Sequence, residues 1–113
     1  MTLNELIGLI DAKVLVKGNE DADISCGYTC DLLSWVMAHG EPGMAWVTVQ
    51  THLNVIAVAV LSEMACVILP ESIEMEQESL NKALSEGMTV LSSPLPAYEI
   101  CGRLYTQGVP AFA

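Results

Sequence analysis

The chain has 113 residues, 14 acidic against 4 basic for a formal net charge of −10, and 52% of its residues are hydrophobic. That length makes one domain, able to bury about two thirds of the surface its unfolded form exposes. The apolar content excludes a disordered chain. Four cations, Lys13, Lys17, Lys82 and Arg103, are too few to neutralise a nucleic-acid backbone, and the acidic excess is repelled by an anionic membrane.

In chain order, Thr2 followed by Glu5 forms a capping box for a first short helix with Leu3, Leu6, Ile7 and Ile10 on one stripe. Residues 13–16 read as a short strand, 19–23 as an acidic turn, and 24–29 as a second strand or extended segment. Asp31 is placed to cap a helix over 32–38, closed by His39-Gly40. Glu41-Pro42-Gly43 is a turn. Residues 44–49 form a nearly continuous apolar strand, the kind buried on both faces.

A helix over 51–64 is apolar almost all round and is expected to be central. Residues 66–69 read as another buried strand, broken by Pro70. An amphipathic acidic helix is expected over 71–87 with Gly87 as its C-cap. A strand over 88–91, a Ser92-Ser93-Pro94 turn and a helix over 97–107, ended by Gly108, complete the domain at residue 109. Residues 110–113 are expected to be a flexible tail. The alternation after residue 43 predicts a single α/β domain with a mainly parallel sheet of four or five strands flanked by helices.

The long apolar run 53–69 contains Asn54, Ser62 and Glu63 and splits into helix-like and strand-like halves, so it is read as buried structure and not as a membrane span. No basic region followed by an apolar stretch opens the sequence. No signal peptide is therefore expected, and the expected location is the cytoplasm. Apolar residues beyond the needs of one core imply an oligomer interface, with a homodimer as the simplest case.

Polar groups collect at the elbow 48–52, where a strand end meets a helix start. In an open parallel sheet, ligands bind outside the carboxyl ends of strands. Three such ends converge here, and free N–H groups at a helix start favour an anion. The candidate ligand-binding residues are Thr48, Gln50, Thr51, His52 and Asn54, with Ser92 and Ser93 opposite. A small anion or a nucleotide phosphate fits that chemistry. The competing reading is that Thr51 caps the helix while His52 and Asn54 satisfy loop carbonyls.

No complete catalytic set accompanies the elbow, and no catalytic residue is assigned. His52 near Thr48 or Ser92 lacks an orienting acid, because Glu63 is three turns away. The sequence holds no GxxxxGK[ST] phosphate loop, and Lys82 reads as an i,i+4 partner of Glu78 or Glu86. Cys26, Cys30, Cys66 and Cys101 give one C-x3-C pair and no second, which leaves buried small hydrophobes as the reading against a zinc or cluster site. No metal or cofactor is expected. Glu71, Glu74, Glu76, Glu78 and Glu86 form either a solvated helix face or a docking surface for a basic partner. Trp35, Met37, Met44 and Trp46 flank one turn and serve either the core or a dimer interface.

The run Gly27-Tyr28-x-x-Asp31-Leu32-Leu33-Ser34-x-Val36-Met37-Ala38, the segment Gln50-Thr51-His52-x-Asn54 through Leu61, and the tail Val90-Leu91-Ser92-Ser93-Pro94 through Tyr105 resemble the stand-alone DRTGG-domain proteins of anaerobic bacteria and archaea. The pentapeptide that names the family is absent as written. The resemblance implies an α/β fold related to the N-terminal domain of HPr kinase, and a role in dimer contacts or regulation. It implies proximity to hydrogenase and electron-transfer subunits, hence a redox-complex protein as partner. It carries a kinase label without the catalytic half that would justify it.

Overall fold

The computed structural model describes residues 1–19 and 21–112. Glu20, in the expected acidic turn, and Ala113, in the expected tail, lie outside the described residues. In chain order the elements are α1 (Leu3–Leu9), β1 (Lys13–Val16), β2 (Cys26–Thr29), α2 (Leu33–His39), β3 (Met44–Val47), α3 (Leu53–Leu61), β4 (Cys66–Leu69), α4 (Gln77–Glu86), β5 (Thr89–Ser92) and α5 (Ala97–Thr106). They form one five-stranded sheet in the order β1-β5-β4-β3-β2, parallel from β2 to β5, with β1 antiparallel on β5. The α/β domain with a mainly parallel sheet is as the sequence predicts.

The four parallel strands follow one another in sequence across the sheet. Crossovers of a single hand therefore put α2, α3 and α4 on one face. The contacts agree, because α3 packs between α2 and α4, while α1 and α5 meet each other on the opposite face.

The strands obey the two-residue period of the pleat. Met44, Trp46, Val67, Leu69 and Val90 join Val36, Val55, Ile56 and Ala59 under the α2–α4 layer. Ala45, Val47, Cys66, Ile68 and Leu91 join Leu6, Ile10, Ile100 and Leu104 under α1 and α5. β3 and β4 are buried along their whole length because both faces are covered. Each fully buried side chain of this size contributes about 1.5–3 kcal/mol.

Local chemistry sets most boundaries. Thr2 Oγ1 accepts from Glu5 N at 3.2 Å, the Thr2 half of the expected box at α1, while Glu5 Oε1 accepts the Thr2 hydroxyl at 3.1 Å. Gly87 ends α4 in the left-handed conformation at φ 71°. Lys82 pairs with Glu86 at 3.4 Å. Pro70 stops β4 as expected.

Four expectations need correction. Asp31 does not cap α2, whose N-cap is Leu32 without a side-chain bond. Thr51 does not cap α3; His52 does. The helix expected over 71–87 begins only at Gln77, because Glu71 and Ser72 take positive φ (55° and 57°) and the segment is tied to the β5 end. The central helix α3 buries Val55, Ile56, Val58 and Ala59, but Leu61 on its outer side is 70% exposed. Met44 and Trp46 are core residues, whereas Trp35 and Met37 are about half exposed. The apolar run 53–69 is helix then strand, and no described helix is long and apolar enough to cross a membrane.

Candidate functional site

The carboxyl ends of β3, β4 and β5 do converge. Thr48 N donates to Ile68 O at 3.0 Å, Ser93 N to Leu69 O at 2.8 Å, and Ser72 N to Ser93 O at 2.8 Å. Between β2 and β5, however, strand order never reverses, so the chain does not part there into the crevice that a reversal opens.

Within this frame the elbow is cross-linked to itself. Thr48 is buried, and its hydroxyl donates to Asp31 Oδ1 at 2.8 Å. The same carboxylate oxygen accepts Val49 N at 3.0 Å. Gln50 N donates to Thr48 Oγ1 at 3.2 Å, and Gln50 Nε2 to Asp31 O at 3.1 Å. Asp31 thus ties the approach to α2 to the exit from β3.

Thr51 Oγ1 donates to Glu76 Oε2 at 3.2 Å, and Thr51 O accepts from the buried Ser79 hydroxyl at 2.8 Å, which fixes the elbow to the start of α4. His52 caps α3 by accepting Asn54 N at Nδ1, 3.1 Å, while its carbonyl accepts Val55 N at 3.0 Å. Accepting at Nδ1 leaves the proton of the neutral imidazole on Nε2.

The two serines face elsewhere. Ser92 Oγ donates to Ile73 O at 2.9 Å and so holds the irregular strap that precedes α4. Ser93 is buried, donates to Ile10 O at 2.6 Å and accepts Leu95 N at 3.2 Å, locking the end of α1 to the sheet. Thr48, Ser92 and Ser93 are therefore framework hydroxyls. Of the candidate residues, the exposed His52 and Asn54 present the ring Nε2 and the side-chain amide at the surface.

The electrostatics follow from the same contacts. Asp31 and Glu76 place carboxylates on either side of the elbow, where an arriving anion meets like charge. All four basic residues lie elsewhere: Lys13 and Lys17 at β1, Lys82 on α4, and Arg103 on α5 with Leu9 O at 3.0 Å and Glu99 at 3.2 Å. Asp31 and Glu76 were not legible as parts of the elbow, since their partners lie 17 and 25 residues away.

The thiols are dispersed. Burial pushes the Cys66 thiol up to about 12 and raises that of Cys101, away from the thiolate form that binds metals or acts as nucleophile. No cluster of three or more His, Cys, Asp or Glu side chains suited to a metal ion occurs among the described residues.

Two apolar grooves accompany the elbow, one remote from it and one adjoining it. One, of about 270 Å³, runs along the β2 edge beside α5, lined by Gly27, Tyr28, Leu104, Tyr105 and Val109. Pro110 O accepts Gly27 N at 2.8 Å along that edge. The other, of about 210 Å³, lies between α2 and α3, lined by Leu33, Met37, Asn54, Ala57, Val58 and Leu61. Asn54 belongs to both the elbow and this second groove. The sequence signal for it was the all-round apolar character of α3, since a helix covering a sheet cannot bury every side.

No protein-family model and no curated protein matches the chain. Its fold is similar to a crystal structure of the CBS and DRTGG domains of the regulatory region of Clostridium perfringens pyrophosphatase, complexed with the activator diadenosine tetraphosphate (TM-score 0.72, 12% identity). The likeness covers 97% of this chain and 48% of that one, so this chain spans about half its length. At that identity the comparison carries the fold alone.

Proposed function

We propose that this chain is a non-catalytic regulatory module of the DRTGG type, homodimeric and cytoplasmic, that senses a small anion or nucleotide at the elbow. In this reading Gln50, Thr51, His52 and Asn54 meet the ligand, while Thr48, Ser92 and Ser93 hold the frame behind them. The observation that carries it is the position of the elbow at the N-termini of both α2 and α3. Asp31 spans the two approaches through Thr48, Val49 and Gln50, and His52 caps α3.

An anion entering here competes with Asp31 for the Val49 N–H and with Glu76 for the Thr51 hydroxyl. Its binding loosens one internal link as it makes another, which is how a ligand biases one arrangement over a second. The regulatory region that shares the fold is complexed with a nucleotide activator, and this supports a ligand of that class. The relation to the N-terminal domain of HPr kinase belongs to the same reading, as a domain used without a phosphate loop.

The test is a thermal-shift screen against nucleotides, phosphates and small carboxylates, repeated with His52→Ala. The expected result is a saturable shift from one class, about 2.7 kcal/mol at 100 times the dissociation constant, lost in the variant. No shift from any class overturns the ligand reading. It would favour a protein-interaction subunit, for example of a hydrogenase or other redox complex, a second reading supported by the internally bonded hydroxyls and the open α2–α3 face.

A further inference from the structure

The outer surfaces of α2 and α3 form one face of unusual chemistry for so acidic a chain. Neither helix, LSWVMAH nor LNVIAVAVL, contains an Asp, Glu, Lys or Arg, although the chain carries 14 acids. On α2, Val36 points to the core, so the exposed Ser34 and Ala38 form the outward ridge. Met37 flanks that ridge on the α3 side and lines the 210 Å³ groove with Ala57 and Leu61. Trp35 flanks it on the other side, 54% exposed and stacked on His39 at 4.6 Å. A large apolar knob and an apolar hole therefore stand at the same level along α2, on opposite sides of a low ridge.

We propose that this face binds a second copy of the chain, with Trp35 of each copy seated in the α2–α3 groove of the other. The proposal rests on the homodimer reading above and adds its contact surface. A two-fold axis running along the α2 ridge carries the knob side of one copy onto the hole side of the other, twice. This is the reciprocity an isologous contact requires. Ser34 and Ala38 are small enough to let the two ridges approach. Charge selects the occupant. Two copies of net charge −10 repel over most of their surfaces, and the two helices of this face bring no carboxylate of their own to the contact, with Asp31, Glu41 and Glu63 placed beyond the helix ends.

The experiment is sedimentation velocity over a hundredfold concentration range on the wild-type chain, Trp35→Ala, Ala57→Glu and, as a control on α4, Leu84→Ala, with far-UV circular dichroism on each to check the fold. The expected result is a wild-type and control dimer, with association at least tenfold weaker in Trp35→Ala and Ala57→Glu. Trp35 emission should also shift to the blue as the wild-type protein associates, while Trp46, already buried, contributes a constant background. A dimer that survives both face substitutions overturns this contact and leaves the homodimer reading standing. A wild-type chain that stays monomeric throughout overturns both.

Discussion

The elbow and the α2–α3 face are opposites. The elbow is polar yet mostly occupied by its own bonds: Thr48 to Asp31, Thr51 to Glu76, Ser92 to Ile73 and Ser93 to Ile10. The α2–α3 face is apolar and open, with Trp35, Met37 and Leu61 all more than half exposed. A polar residue at a strand end is as often a fastener as a receptor, because a buried hydroxyl left unpaired costs about 1–3 kcal/mol. An exposed apolar side chain makes no such demand on the fold, and its presence asks for a partner outside the chain.

The contrast can be broken most severely at Asp31. In Asp31→Ala the buried Thr48 hydroxyl loses its acceptor and Val49 N–H its partner. The expected loss is about 2 kcal/mol in urea unfolding, a large effect for an exposed residue. A change below about 0.5 kcal/mol, the range of ordinary surface substitutions, would mean that the elbow is not held by this carboxylate.

Cys66 tests whether the thiols stay out of both regions. Its raised value means that the unfolded chain ionises near pH 9 while the folded one keeps its proton up to about 12. The unfolded state then binds fewer protons, so stability falls as pH rises through this window, by about 1.4 kcal/mol per pH unit. Below pH 9 this group adds no slope. Cys66→Ala should flatten the decline in denaturant midpoints measured at successive pH values. An unchanged slope would assign the decline to other groups.

The smallest expected effect belongs to the open face. Leu61→Ser should alter unfolding of the dilute monomer by less than about 0.5 kcal/mol, although it removes an apolar side chain. A loss of several kcal/mol would show that Leu61 serves the core and would close the comparison with the elbow.

Much of the fold was legible because local signals agreed with global ones. β1 and β4 have the predicted ends, since short apolar runs are bounded by turn residues or by Pro70. The monotonic strand order was not legible, because it is decided by which crossovers pack and not by any residue's preference. The start of α4 was misplaced for a similar reason. Glu71 to Glu76 have helical propensity, but Ser92 and Ser93, some twenty residues on, bond Ile73 and Ser72 into a strap.

At the elbow the residue types were read from sequence, whereas their engagements were not. Ser93 and Ile10 are 83 positions apart. His52 as a cap is not legible in the sequence, because Thr51 beside it is the commoner capping residue.

The antiparallel edge also bears on how the chain is made. Lys13, Val14 and Val16 find their partners in Ser92, Leu91 and Val90, and Leu9 and Ile10 are fastened by Arg103 and Ser93. During synthesis from the N-terminus, β2, β3 and β4 can assemble in the order in which they emerge. Strand β1, by contrast, must wait until β5 has emerged. The first of the five strands is thus the last to be paired, and until then its edge stays open to wrong contacts.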